Sequence, residues 1–366
     1  MIYFDHAATT SLRKEAIEAM EAVFPLYGNP SSAHEPGMQA KKALEDCRET
    51  MASLLDCEYD EVIFTSCGTE ADVTAIRSVL ATKKKKILTT PFEHHAVLRT
   101  CEELERDGVK TAFLPVHPGG FVSPADCGGL LDCETGLVSV MRVNNELGTL
   151  QPVREIAVLA KQAGALMHTD AVQAVGLIPL SFKELGVDFL SLSAHKFGGP
   201  KGVGALICKR GTPLLPLLVG GGQEQNRRAG TESLLLVAGM TAALKAAVEN
   251  GKQEQAKKAL IRDKLQAGMI SLGAIPLCKE SERTPGHLAV LFPKTDARAL
   301  LHALDLRGFC VSAGSACTSG ASVPSHVLTA IGLTDEQATS CLRISVGTDN
   351  TEEEADALLC CLREIL

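Results

Sequence analysis

Residues 187–205 read VDFLSLSAHKFGGPKGVGA. The run VDFLSLS is apolar and β-leaning, and it breaks at Ala194-His195-Lys196 into a glycine-rich turn. That pattern predicts a buried strand delivering one lysine to its carboxyl edge. Lys196 is open to two readings. Partial desolvation lowers a lysine's pKa toward the free amine, the form that makes a Schiff base with pyridoxal phosphate. The alternative is an ordinary solvated lysine in a polar loop, as most lysines are.

Outward from this strand the same design repeats. Residues 61–76, EVIFTSCGTEADVTAI, predict a strand over 61–65, a small-residue turn at Ser66-Cys67-Gly68 and a helix opening at Thr69. Free N–H groups and the positive end of the helix dipole make such a turn a place for a phosphate, although glycine turns also open helices that bind nothing. ILTT from Ile87 leads to Glu93-His94-His95, LVSVMRV leads to Asn144-Asn145-Glu146, and ALMHT leads to Asp170 and Gln173. Helical stretches such as 153–163 lie between, so the pattern predicts an α/β fold with a mostly parallel sheet. Open α/β sheets bind ligands beyond the carboxyl ends of their strands. Here those ends carry Gly68, His94, Asn145, Asp170, Ser193 and Lys196. For each, a cap or turn role remains the bland alternative. Asp170 suits the carboxylate that keeps a pyridinium nitrogen protonated. His94 is placed to lie over a ring face, or else is a hydrogen-bonded loop histidine.

At 366 residues the chain exceeds the usual size of one core, which predicts two domains: residues 15–250, and residues 1–14 with 251–366. Hydrophobic residues at 45% and charged residues at 22% are the composition of a folded globular protein. A net charge of −8 argues against nucleic-acid or anionic-membrane partners. The lysine run 83–86 reads as a solvated turn before the strand from Ile87. MIYFDHAATT has no basic region followed by an apolar stretch, and no segment reaches ~18 uninterrupted apolar residues. The expectation is a cytoplasmic protein. Thirteen cysteines without a CxxC pair support neither a disulfide framework nor a zinc site, and most read as small buried hydrophobes. After residues 218–233, LVGGGQEQNRRAGTES, a helical tract runs to about residue 270 with Gly251 as a possible interruption. Beyond it come HLAVLF, a helix near 296–305, the stretch 309–332, LRISVG, and a last helix opening with Thr351 and Glu354 at capping-box spacing.

AATT, GNPSSAH, FTSCGTE, EHHAVL, NNELGTLQP, DAVQAVG, SAHKFGGPKGVGAL, GGGQE, RAGT, SAGSACTS, PSHVL and LRISVG follow one another along the chain. In this order they resemble a cysteine desulfurase of the NifS/IscS type, within the class V aminotransferase group of fold-type-I pyridoxal phosphate enzymes. The resemblance spans residues 4–347. It implies a large cofactor-binding domain, a smaller α+β domain carrying a catalytic cysteine loop, and pyridoxal 5'-phosphate as cofactor. Lys196 would be the Schiff-base lysine, Asp170 the partner of the ring nitrogen, and His94 the ring-stacking residue and proton shuttle. Asn145 and Gln173 would contact the ring's phenolic oxygen side, and Gly68, Thr69, Ser193 and His195 would hold the phosphate. Thr231 would reach the phosphate of a neighbouring subunit, which implies a homodimer. Arg343 would clamp the substrate carboxylate as a bidentate guanidinium. Cys317 would take sulfur from L-cysteine as a persulfide and pass it to an acceptor protein in iron–sulfur or tRNA-thiolation chemistry.

The chain departs from that pattern at His6, Cys67, Val73 and Ala229, where the family usually has Asn, Gly or Ala, Asn, and Ser. A selenocysteine lyase or selenium donor would share every residue named. A class V enzyme without sulfur transfer would not need Cys317, and a non-catalytic partner protein would need none of Lys196, Asp170, His94, Cys317 and Arg343.

Overall fold

The structure, a computed structural model, describes residues 1–314 and 324–366. Short runs of β-branched and large apolar residues, closed by Gly, Pro, Asn or Asp, form its strands. In chain order they are β1 (Ile2–Tyr3), β2 (Val62–Thr65), β3 (Lys86–Thr89), β4 (Lys110–Phe113), β5 (Thr135–Ser139), β6 (Leu166–Asp170), β7 (Phe189–Ser193), β8 (Gly204–Cys208), β9 (Ile275–Pro276), β10 (His287–Leu291), β11 (Phe309–Cys310) and β12 (Cys341–Ser345). Seven make one sheet in the order β2-β8-β7-β6-β5-β3-β4. The strands from β7 to β4 pair in parallel, and β8 runs antiparallel to both of its neighbours. The predicted α/β architecture with a mostly parallel sheet is the one observed.

Strands β5 and β7 are buried along their whole length because helices cover both faces of the sheet. One core gathers Leu44, Met51, Ile156, Met240 and Leu244 from the helices Glu35–Leu55, Val153–Gln162 and Leu234–Glu249. Another gathers Ile76, Val97 and Leu104 from the helices Gly68–Arg77 and His95–Glu105. A third core lies apart from the large sheet. There Leu288 and Val290 of β10 and Ile344 of β12 pack against Ile261, Leu265, Leu358 and Leu362 of the helices Gly251–Ser271 and Glu352–Ile365. The first residues of the chain join it: β1 pairs in parallel with β11, and Phe4 is fully buried there.

Gly251 does open a new helix. The tract divides into Leu234–Glu249 and Gly251–Ser271, bent by 73° at Asn250. No single helix among the described residues is long and apolar enough to cross a membrane. The last helix starts with the predicted capping box, Thr351 Oγ1 accepting from the Glu354 N–H and Glu354 Oε2 from the Thr351 N–H.

Two expectations need correction. The lysine run is not simply solvated: Lys84 Nζ donates to the carbonyls of Ala163 and Gly164 at a helix C-terminus, and Lys86 Nζ to Leu130 O and Asp132. Cations suit that end of the helix dipole. Nor are most described cysteines buried: Cys101, Cys127, Cys208, Cys341 and Cys361 are, whereas Cys47, Cys57, Cys67, Cys278 and Cys310 are half-buried and Cys133 and Cys360 exposed. Burial pushes the Cys101, Cys208 and Cys341 thiols up to about 12, so they stay protonated.

The glycine-rich loop 218–233 is anchored by a buried ion pair. Glu224 takes two hydrogen bonds from Arg48, at 2.6 and 2.8 Å, and one from the Phe64 N–H of β2 at 3.0 Å. Glu224, Gln225 and Asn226 all have positive φ (45°, 58° and 63°), a conformation that surrounding contacts must hold in place. Removing one partner leaves the other charged and buried. Glu224→Gln is therefore expected to lower the unfolding free energy by about 3–5 kcal/mol, with much of the loss recovered in Arg48→Met/Glu224→Leu, as read by chemical denaturation.

Candidate active site

The carboxyl ends of the parallel strands open into a cavity of about 310 Å³. Gly68, Thr69, His94, Asn145, Asp170, Gln173, Ser193, His195, Lys196 and Arg343 all line it. Thr231 does not; it is exposed, on a loop tied to the helix Gly68–Arg77 by an Arg228–Glu70 ion pair at 2.9 Å. Cys317 lies outside the described residues.

Lys196 is carried to the cavity by a single 3-10 turn, Ala194–Lys196, directly after β7. Its Nζ donates to the backbone carbonyls of Ala7 and Ala8, at 2.7 and 2.8 Å, so the chain's first residues form the wall beside it. Across the floor, the turn Ser66-Cys67-Gly68 runs into a helix N-terminus. A Cβ on Gly68 would stand 2.9 Å from Val172 Cγ2 and 3.1 Å from Ser193 Cβ, so only glycine fits. Gly204 of β8 is needed for the same approach, since a Cβ there would meet the Cys67 carbonyl carbon at 2.7 Å. Cys67 caps the helix through its sulfur, which accepts from the Glu70 N–H at 3.4 Å. Ser193 and His195 face this N-terminus from the end of β7 and the turn that follows it. His195 pairs with Thr9 Oγ1 at 3.1 Å, and burial beside Lys196 pushes it down to about 4, leaving it neutral.

Asp170, at the end of β6, is buried, and its Oδ1 accepts from the Val172 N–H at 2.8 Å. Burial, then the charge of nearby Asp72, pushes its carboxyl up to about 7. Behind it, His168 is held between Ser139 Oγ at 2.8 Å and Ser191 Oγ at 3.0 Å, and burial keeps it neutral. Asp72 is itself buried and pushed up to about 7, and one of its oxygens has no partner. A cavity floor with two such carboxyls favours a cation.

His94 caps the helix His95–Glu105. Its Nδ1 accepts from the Ala96 N–H at 3.1 Å, which places the ring proton on Nε2. Burial and the Lys196 charge push it down to about 4, so it is a neutral donor. Asn145 keeps a buried amide oxygen without a partner, while Gln173 donates to Ala7 O at 2.8 Å. Arg343, on β12, spends Nη2 on Asp5 at 2.7 Å and keeps a buried Nε without a partner. Taken together, the cavity can hold a planar cationic ring with an anionic end. The anion would sit at Gly68 and Thr69, the ring's positive nitrogen at Asp170, and a second carboxylate at Arg343.

Four further residues line the cavity or steer its members without having been singled out in the sequence. Asp5 orients Arg343. Asp72 lies one helical turn after Gly68, a spacing that could have placed it on the same face. His95 and His326 stack with ring centroids 4.6 Å apart, and His326 Nε2 donates to Glu93 O. Nothing local to PSHVL signals that contact, because its partner is more than two hundred residues away.

The family model described as aminotransferase class-V matches residues 2–358. A curated relative, cysteine desulfurase IscS of Dictyoglomus turgidum, is 42% identical over 375 residues, covering 100% of this chain and 94% of the relative. The chain belongs to the aminotransferase class-V family, in its NifS/IscS group. Among solved structures, a NifS-like protein superposes with a TM-score of 0.94 at 38% identity, covering 100% of this chain and 98% of its own. SspA in complex with cysteine superposes with a TM-score of 0.83 at 30% identity, covering 96% and 100%.

Asp72 yields a pH prediction. Its folded-state pKa is raised from 3.8 to about 7, so its contribution to stability is fully present below the unfolded value and lost as pH rises through 7. Asp72→Asn should therefore raise the melting temperature of the cofactor-free protein at about pH 8 and leave it little changed near pH 4. Thermal unfolding at both pH values checks this; an equal shift at the two would exclude titration of Asp72 as the cause.

Proposed function

We propose that this protein is a cysteine desulfurase, which takes sulfur from L-cysteine with the help of pyridoxal 5'-phosphate, releases L-alanine and carries the sulfur as a persulfide on Cys317. The convergence of Lys196, Asp170 and the Gly68 helix N-terminus on one cavity carries this reading, in a chain 42% identical to curated IscS desulfurases. The residues fit the cofactor: the Gly68 cradle is shaped for close approach, Asp170 is a buried carboxyl facing a cavity that favours a cation, and the Asn145 amide oxygen awaits a partner. When bound, the cofactor supplies an electron sink for the pair left on the substrate's α-carbon.

Gly68, Thr69, Ser193 and His195 would hold its phosphate, Asp170 its ring nitrogen, Asn145 and Gln173 its phenolic oxygen side, with His94 over the ring face. Arg343 binds the carboxylate of L-cysteine, and Asp5 holds the guanidinium in place for it. Lys196 Nζ removes the α-proton, and the Ala7 and Ala8 carbonyls stabilise the ammonium that results. Cys317 attacks the substrate sulfur as its bond to carbon breaks, and the two protons that complete alanine, one at each of the two carbons, come from His94, a neutral Nε2–H donor, and from Lys196, which returns the proton it took. The persulfide then passes to an acceptor protein of iron–sulfur or tRNA-thiolation chemistry.

Thr231, exposed and away from its own cavity, suits a contact with the phosphate of a second subunit, so the enzyme is read as a homodimer. The separate third core supports the division into residues 15–250 and residues 1–14 with 251–366. The protein is read as cytoplasmic, acting on neither nucleic acid nor membrane, in keeping with its net charge of −8.

Incubation with L-cysteine and a thiol reductant is expected to give alanine and sulfide in equal amounts, with selenocysteine as the control for a selenium lyase. Cys317→Ser should abolish both products, and their survival would sink the assignment. Lys196→Ala is expected to slow turnover by about 10²–10⁴-fold and to remove the borohydride-reducible chromophore.

A further inference from the structure

His168 and Asp170 stand two residues apart on β6, so their side chains leave the same face of the sheet about 7 Å apart. The helix Gly68–Arg77 packs on that face and brings Asp72 to it, with Oδ1 3.5 Å from His168 Nε2. Here a row of buried polar groups crosses the sheet. Ser139 Oγ of β5 meets His168 Nδ1 at 2.8 Å, Ser191 Oγ of β7 meets His168 Nε2 at 3.0 Å, and the Ser191 hydroxyl supports the ionised form of Asp72. At 1% exposure Asp72 is closed off by packing, so its charge reaches a ligand in the cavity through space and not by contact.

Among the described residues no arginine or lysine pairs with Asp72. Around it stand His168 and Asp170 of β6, Glu93 and His94 at the start of the helix His95–Glu105, Lys196 in the turn after β7, and the thiols Cys101 and Cys208 in the adjoining core. Burial keeps both histidines neutral, both thiols protonated and Glu93 well above the usual carboxylate range. The Lys196 charge acts on Asp170, and Asp72 in turn raises the proton affinity of Asp170. A carboxylate held this way costs stability in the empty protein, and the cost falls when a cation sits nearby.

We propose that Asp72 is a second counter-charge to the cofactor's ring, a positioning residue that acts through Asp170 without touching the ring and tightens binding of the protonated ring nitrogen above neutral pH. The inference rests on the reading of the cavity as a pyridoxal phosphate site, and it adds to that site a residue with no contact role. Above neutrality both carboxyls are ionised. Asp170 is then the direct partner of the ring nitrogen, and the charge of Asp72 makes that nitrogen harder to deprotonate. Below neutrality Asp72 takes up a proton and its contribution fades.

Pyridoxine 5'-phosphate keeps the ring and the phosphate but lacks the aldehyde, so its affinity reads the non-covalent contacts alone. In calorimetric titration of the whole chain freed of cofactor, Asp72→Asn is expected to bind it about tenfold more weakly than the unsubstituted protein at about pH 8.5. At about pH 5.5 the difference should vanish or reverse, because Asp72 is then protonated and Asp170 ionises more readily without it. The ratio between the two proteins cancels titration of the phosphate itself. An analogue with CH in place of the ring nitrogen should bind Asp72→Asn no more weakly than the unsubstituted protein, which a merely structural loss would not allow. A similar loss for that analogue, or equal affinities for pyridoxine 5'-phosphate at about pH 8.5, overturns the proposal. Should Asp72→Asn fail to fold, Ser191→Ala withdraws the hydroxyl that supports the charged Asp72 and is expected to weaken binding about threefold near pH 7.5; unchanged binding there overturns the proposal equally. No binding of pyridoxine 5'-phosphate to the unsubstituted protein would overturn the cofactor reading, and this inference with it.

Discussion

Two carboxyl groups buried side by side dominate the site. Asp170 ends β6 and Asp72 sits on the facing helix, and burial pushes each up to about 7. Neither is brought into the usual carboxylate range by a paired arginine or lysine, so the floor stores an unmet demand for positive charge. His168, held between two serines and kept neutral by burial, does not meet it. A positively charged group is what such a floor favours.

The second constraint is close packing of backbone at the opposite end of the cavity. Gly68 and Gly204 allow β8, the Cys67 turn and Ser193 to approach within distances that no side chain would permit. The helix N-terminus is thereby pressed onto the sheet edge, where its N–H groups can face an anion. Cation demand at one end and anion capacity at the other define an axis, with Lys196 and His94 set along it. The loop 218–233 is bound to the same region from outside through Arg48–Glu224 and Arg228–Glu70.

The chain's first residues connect the two halves of the molecule. Phe4 packs in the core of the smaller sheet, Asp5 holds Arg343 of β12, and Ala7 and Ala8 hold Lys196 of the large sheet. Arg343 and Lys196 are thus mechanically linked through residues 5–8.

The strands that lead to His94, Asn145, Asp170 and Lys196 could be read directly, because each apolar run and the polar residue that follows it lie within a few residues in sequence, and strand periodicity is a local property. The helix caps, the break near Gly251 and the convergence of strand ends on one edge followed from the same local chemistry. Three-dimensional packing alone decided what depends on residues far apart. The partnership of Asp5 with Arg343, the stack of His95 on His326, and the shared burial of Asp72 and Asp170 all join segments separated by tens to hundreds of residues. Lys84 likewise found a helix end that its own basic run did not foretell. Local sequence determines which group stands at the end of each element; desolvation and pairing, which set what that group does, belong to whatever the fold brings against it.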